Sequence, residues 1–271
     1  MGINCNMTLN GTKIMKQNVV SGYCNNKENL INSTKVRYIN GCYNPKCEST
    51  TYFDDTINTI TNLYKSNKLS HIFIGIGLDQ TIESEGQNNA GVGYDRSYIE
   101  LPGYQNELIS LIYNNTRQYN IPLICVLIHG GTMALGNAYN ECDAILDVWY
   151  PGSQGALGLM DVVFGRYNPA GRAPVTTYLS TDQLPAMDDQ NLYPSTNSSG
   201  ITYRYFNGDV LFPFGYGLSY TQFEYSQLSL NTTKINDTYY ILNDACGVIK
   251  VSFNIKNIGK YIGDEVTQLY I

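Results

Sequence analysis

Between residues 36 and 178, short apolar runs alternate with stretches whose apolar positions recur at helical spacing, the pattern of strands joined by crossover helices. Residues 36–40 read as a strand. A helix is predicted from Asp54/Asp55, with Ile57, Ile60 and Tyr64 on one face, acidic residues at its start and Lys65 and Lys68 near its end, as the helix dipole favours. Residues 71–76 then read as a buried strand. Leu108, Leu111 and Ile112 mark a second amphipathic helix, and 121–128 is the next interior strand. Residues 144–149 repeat the strand pattern, 154–164 look helical, and 174–178 close the run. The expected fold class is α/β, a mostly parallel sheet sandwiched between helices over residues 1–222. Such sheets bind ligands on loops leaving the C-terminal ends of their strands, here 77–103 and 129–135.

Beyond Phe223 the texture changes to alternating strands at 225–230, 247–255 and 265–271, separated by Gly- and Asn-containing turns. That pattern predicts a β-sandwich over 223–271. Its strands are too few for two full sheets, so the sandwich is expected to be incomplete.

The chain has 271 residues, 43% of them hydrophobic, enough to bury a sizeable core. Its formal net charge of -6 repels polyanions, so neither nucleic acid nor an anionic membrane is an expected partner. No apolar run approaches the roughly 18 residues that a spanning helix needs. Acceptor sequences for N-glycosylation occur at Asn6, Asn10, Asn32, Asn114, Asn197, Asn231 and Asn236. An Asn-rich chain also produces such triplets by chance. Cys5, Cys24, Cys42 and Cys47 crowd the first fifth, and the spacing of Cys42 and Cys47 suits a small disulfide loop better than zinc, for which no His completes a set. These features point to an extracellular or secretory/lysosomal location, with any signal peptide belonging to a longer parent chain.

The loop after Ile76 carries Asp79, Glu83, Glu85 and, after an intervening stretch, Asp95-Arg96. Carboxylates at the mouth of a sheet suit glycoside hydrolysis, in which a carboxylic acid must protonate a leaving oxygen. Spacing alone leaves Glu83 and Glu85 both open, and solvated loop carboxylates are commoner than catalytic ones. Asp95-Arg96 suits a loop brace as well as a sugar contact. Gly75-Ile-Gly77 lacks the third glycine and the helix of a dinucleotide site, so no cofactor is expected. Ile128-His-Gly-Gly131 is similar to the oxyanion loop of esterases, but no Gly-x-Ser-x-Gly elbow accompanies it. With only His71 and His129 in the chain, metal clusters and His-based triads have little material, and no metal is expected. The 24 tyrosines invite a sugar-stacking explanation, but biased composition accounts for them equally well.

A series of segments in one order extends over nearly the whole chain. They are Val36 to Gly41-Cys42, Gly75-x-Gly-Leu-Asp79 leading to Glu83-x-Glu85-Gly86, Asp95-Arg96, Leu101-Pro-Gly-x-Gln105 and Val148-Trp-Tyr-Pro-Gly152. They continue with Phe164-Gly-x-x-Asn-Pro-Ala-Gly-Arg172, Pro174-Val-Thr176, Thr202-Tyr-Arg-Tyr-Phe206 and Phe212-Pro-Phe-Gly-Tyr-Gly-Leu-Ser-Tyr-Thr221. In this order the chain resembles family 3 glycoside hydrolases, particularly the branch of β-xylosidases and α-L-arabinofuranosidases, with β-glucosidases as further members.

The resemblance implies a three-part enzyme: an N-terminal (β/α)8 barrel, this α/β sandwich, and a fibronectin-III-like domain beginning near Phe223. It implies a retaining mechanism on an oligosaccharide or aryl glycoside, with an Asp nucleophile on the barrel and an acid/base Glu on the sandwich. By position in the motif Glu83 takes that role and Glu85 is the reserve. Asp95 and Arg96 then hold the acid/base loop, and His129 belongs to the neighbouring loop. The chain departs from the family pattern in the stretch 87–94, which separates Gly86 from the Asp-Arg pair. It also contains no barrel of about 250 residues, so the isolated chain is expected to be inactive, with a sticky apolar face where the barrel would sit. A carbohydrate-binding or accessory protein that kept the sandwich without the barrel is the alternative.

Overall fold

The computed structural model describes residues 11–14, 36–79, 82–83, 96–186, 188–196, 198–231, 233–234, 240–241 and 249–270. By packing, the chain divides into two compact units, 1–161 with 173–214, and 162–172 with 215–271.

The first unit is built on a parallel sheet of five strands: β1 (Gly11–Ile14), β2 (Val36–Tyr38), β3 (Ile72–Gly77), β4 (Leu123–Ile128) and β5 (Ala144–Asp147). Their spatial order is β2-β1-β3-β4-β5. The interior pair β3 and β4 runs in register from Ile72 opposite Leu123 to Gly77 opposite Ile128. Both strands are apolar along their length, because a parallel sheet covered by helices offers neither face to water. Ile72, Ile74, Leu123 and Cys125 are among the most deeply buried residues.

Three helices follow in the connections: α1 (Phe53–Lys65), α2 (Gln105–Thr116) and α3 (Ala138–Glu141). Helix α1 buries Phe53, Thr56 and Ile60, and the Thr56 hydroxyl bonds the carbonyls of Asn40 at 3.0 Å and Tyr52 at 2.8 Å. Helix α2 buries Leu108, Ile109 and Ile112 against the same core. Each fully buried Ile or Leu contributes roughly 1.5–3 kcal/mol through loss of apolar surface to water. A further helix, α4 (Gly155–Val163), follows a short 3-10 turn at Gly152–Gln154.

Two expectations for this region need correction. Strand β1, which lies between β2 and β3, was not legible: Gly-Thr-Lys-Ile holds one aliphatic residue and shows no strand periodicity. Residues 174–178 do not extend the parallel sheet. Only Thr177–Tyr178 (β6) is extended, pairing antiparallel with Val210–Phe212 (β7) as a separate ribbon. Pro174, which has no backbone N–H to give to a ladder, fits that marginal position.

The second unit holds β8 (Phe223–Leu230), β9 (Thr233–Lys234), β10 (Tyr240–Ile241) and β11 (Val251–Asn257). Strands β8 and β11 pair antiparallel, as do β9 and β10. Residues 265–270 were expected to form a strand and do not. Glu265 instead bonds Arg172 at 2.8 Å and receives the Tyr225 hydroxyl at 2.7 Å. Asn168 accepts from the Ser219 hydroxyl at 2.9 Å and the Tyr220 N–H at 2.8 Å, and donates to the Ile262 carbonyl at 3.1 Å. These bonds explain why 162–172 packs with the second unit, which takes in the chain from Gly215 rather than from Phe223.

Candidate active site

The site forms where β3, β4 and β5 end. Gly77, the last residue of β3, has φ 120, and a side chain there would overlap the Ile128 carbonyl of the neighbouring strand. Only glycine lets the chain turn out of the sheet at this point. The turn is fixed from outside by Gln105, the first residue of α2. Its Oε1 accepts the Gly77 N–H at 2.8 Å, and its Nε2 donates to the Gly77 carbonyl at 2.8 Å and the Pro45 carbonyl at 2.6 Å. Gln105 is 4% exposed; its two bonds to Gly77 are buried and the bond to Pro45 is partly buried. Cys42 and Cys47 are disulfide-bonded and close the loop that presents Pro45. The Cys47 carbonyl accepts the Tyr104 N–H at 2.9 Å, which seats the start of α2 on that loop.

Beyond Gly77 the chain makes a tight turn in which the N–H groups of Ile82 and Glu83 bond the Asp79 carbonyl at 3.0 and 3.2 Å. Glu83 leaves this turn with its side chain 32% exposed, outside the core of the sheet. Arg96 Nε donates to Glu83 Oε2 at 2.6 Å. The same guanidinium, 12% exposed, reaches the Thr132 carbonyl at 3.1 Å and Met133 Sδ at 3.3 Å. Arg96 therefore ties the loop after β3 to the loop after β4 while orienting one carboxylate oxygen.

The seam continues past Arg96. The Ala134 N–H bonds the Ile99 carbonyl at 2.8 Å, and Glu100 receives the Thr181 N–H at 2.8 Å and its hydroxyl at 2.6 Å. Partial burial pushes the Glu100 carboxyl up, but the two Thr181 bonds, its own backbone and the Arg96 charge outweigh it and hold the group below its ordinary value.

On β4's far side, His129 is 3% exposed. Its Nε2 bonds Asp147 Oδ1 at 2.6 Å, its Nδ1 bonds the Gly131 carbonyl, and its ring lies 4.7 Å from that of Trp149. Both ring nitrogens thus face oxygens other than a serine hydroxyl, which removes the geometric basis for an esterase-like role. Trp149 has φ 54, a left-handed conformation uncommon for a bulky residue. The next residue, Tyr150, lays its ring against Gly130, where a side chain would overlap it. Burial, then the negative charges of Asp79 and Glu83, raise the Tyr150 phenol above its ordinary value, and Arg96 partly offsets them.

Of the residues expected to act here, Glu83, Arg96 and His129 are placed around the strand ends, whereas Glu85 and Asp95 lie outside the described residues. Gln105, Thr132, Met133, Asp147 and Tyr150 are additions. Gln105 carried a signal, its place in the Leu-Pro-Gly-x-Gln segment. Asp147 carried none, since an acidic residue at a strand end reads as solvated. A second disulfide, Cys125 to Cys142, joins β4 to the residue after α3 and was not expected. Asn114 and Asn231 are exposed; Asn6, Asn10, Asn32, Asn197 and Asn236 lie outside the described residues. Among the described residues no group of three His, Cys, Asp or Glu side chains is placed to hold a metal ion, and no helix is long and apolar enough to cross a membrane.

The glycosyl hydrolase family 3 C-terminal domain matches residues 19–220, well over half of the chain. The chain belongs to this family. It is 38% identical over 220 residues to a xylan 1,4-β-xylosidase of Xylanibacter ruminicola, covering 80% of this chain and 23% of that protein. It is 37% identical over 188 residues to β-D-xylosidase 1 of Arabidopsis thaliana, covering 65% of this chain and 23% of that protein. This family 3 chain therefore spans about a quarter of the length of these curated relatives. Among solved structures, a β-glucosidase from Erythrobacter marinus shares the fold with a TM-score of 0.64 at 22% identity, over 93% of this chain and 35% of that one. DesR, a β-glucosidase from Streptomyces venezuelae in complex with D-glucose, has a TM-score of 0.57 at 29% identity, over 78% of this chain and 25% of that one.

Proposed function

We propose that this chain is the C-terminal part of a retaining exo-β-glycosidase of the β-xylosidase type and that Glu83 is its acid/base. The observation that carries the reading is the place of Glu83: on a partly exposed turn at the C-terminal end of β3, with Oε2 held by a nearly buried arginine. In the first step an Asp carboxylate from a (β/α)8 barrel attacks the anomeric carbon. The bond to the leaving oxygen breaks as the Glu83 carboxyl gives that oxygen its proton, and a glycosyl ester remains on the Asp. In the second step the Glu83 carboxylate takes a proton from water, the water oxygen attacks the same carbon, and the Asp is released. The Arg96 bond to Oε2 leaves Oε1 to serve the leaving oxygen.

The substrate class is a xylose-containing oligosaccharide or an aryl glycoside, supported by the β-xylosidase relatives. Strands β8 and β11 are read as the start of a fibronectin-III-like domain. The Cys42–Cys47 and Cys125–Cys142 disulfides and the exposed Asn114 and Asn231 support an oxidising, extracellular or secretory setting. The test is hydrolysis of chromogenic β-xyloside and β-glucoside by the chain alone and by a hybrid in which it replaces the matching segment of the Xylanibacter enzyme. The chain alone should be inert, and a monodisperse, folded hybrid should turn over xyloside and lose that activity on Glu83→Gln. A hybrid equally active with Gln at position 83 overturns the acid/base role.

A further inference from the structure

The turn at the end of β5 carries a cost that the sheet itself does not require. The Val148 N–H still bonds the Leu127 carbonyl at 2.9 Å, so the chain is in sheet register up to that residue. At Trp149 it turns into the left-handed region with φ 54. For a non-glycine residue this conformation is unfavourable by about 1 kcal/mol or more, and it persists only where surrounding contacts hold it. Those contacts are visible. The Trp149 ring is tilted over His129, and His129 is held by Asp147 on the same strand and by the Gly131 carbonyl.

The turn directs Tyr150 across the strand ends. Its ring rests on Gly130, where a side chain would collide with it, and the residue is 49% exposed. The loop it rests on also supplies the Thr132 carbonyl to Arg96, which in turn holds Glu83, so Tyr150 stands on the loop braced to the acid/base candidate. A half-exposed tyrosine on a braced, strained turn, packed on the loop that anchors Arg96, has the form of a sugar-contacting wall: an apolar face to pack on a pyranose and a hydroxyl to bond its oxygens.

We infer that Tyr150 is a substrate-contact residue that packs on the leaving group, a sugar or an aryl ring, whose glycosidic oxygen Glu83 serves. This rests on the glycosidase reading for the identity of the ligand. Trp149 and His129 are positioning residues for Tyr150, acting through the backbone turn.

The chain contains a built-in reporter, because Trp149 is its only tryptophan. The 271-residue chain is titrated with xylobiose and with 4-nitrophenyl β-xyloside, following Trp149 emission for the first ligand and saturation transfer to ligand protons by NMR for both. Wild type should show saturable binding with both readouts. Tyr150→Phe should bind within about threefold of wild type, and Tyr150→Ala at least tenfold more weakly, with unchanged near-ultraviolet circular dichroism. Equal affinity of wild type and Tyr150→Ala overturns the inference, as does absence of saturation transfer to wild type. The Glu83→Gln hybrid assay is independent of this outcome. Loss of hydrolysis there with no effect of Tyr150→Ala on binding leaves the glycosidase reading standing and removes Tyr150 from it. The reverse result keeps a sugar-binding Tyr150 and removes the acid/base role from Glu83.

Discussion

Arg96 donates to Glu83 at 2.6 Å while the same guanidinium holds the loop after β4 through Thr132 and Met133. One side chain thus sets the distance between the acid/base candidate and the neighbouring wall of the site. Replacing Arg96 by Ala should lower kcat of the hybrid about 100-fold, the penalty typical of displacing a reacting group by an ångström, with a smaller change in KM. Lysine should not restore it, since a point charge cannot reproduce three directed contacts. Steady-state kinetics with 4-nitrophenyl β-xyloside reads both effects, and a variant with wild-type kcat would remove Arg96 from the positioning role.

Glu83→Gln should reduce turnover of substrates with poor leaving groups by about 100-fold to 10,000-fold, the usual contribution of general acid–base catalysis. Aryl glycosides whose phenol departs without protonation should be affected much less in the first step. Comparing burst and steady-state rates for a nitrophenyl and an alkyl xyloside separates the two steps.

Gln105→Leu should destabilise the first unit by about 3 kcal/mol, because it leaves the buried Gly77 N–H and carbonyl, and the partly buried Pro45 carbonyl, without their partner. Glu at this position should not recover the loss, since an ionised carboxylate has no N–H for the Pro45 and Gly77 carbonyls. Urea unfolding of the purified chain measures both.

Removing the Cys125–Cys142 disulfide by a double Ala substitution should cost about 3 kcal/mol, the chain-entropy expectation for a loop of this size. Thermal unfolding in oxidising buffer, compared with wild type with and without reductant, gives the difference. Reductant also opens Cys42–Cys47, so the reduced wild type should unfold below the double variant kept in oxidising buffer.

Acid should weaken the seam at Glu100. Its folded-state carboxyl titrates below its ordinary value, so its stabilising contribution is present above the unfolded carboxylate range and is lost as pH falls through the folded value. Glu100→Gln should therefore show a smaller drop in unfolding midpoint than wild type between about pH 7 and about pH 3. An identical drop in the two proteins would assign the acid sensitivity to other groups.

Legibility in the sequence followed apolar content. Strands β3 and β4 and helix α2 were readable because Ile, Val and Leu dominate their buried positions and alternate with helical spacing between them. Strand β1 was not, because its place in the sheet is set by backbone pairing with β2 and β3, which four residues of mixed chemistry do not announce. Around the site, Glu83 and Arg96 stood in a recognisable order of motifs, but the bond between them crosses 13 positions of sequence and depends on how the loop folds back. The partners of His129 and Trp149 were hidden for a related reason. Asp147 and Gly131 become relevant only once β5 lies beside β4, and a left-handed tryptophan has no signature in composition.

The grip of Gln105 on Gly77 and Pro45 has a corollary for loop length. It clamps the point where the Glu83 loop departs and the point where the chain re-enters the helix, so whatever lies between is a closed circuit on a rigid frame. The entropy of such a circuit rises only logarithmically with its length. A change in the length of this loop should therefore cost little and leave the sheet beneath it undisturbed.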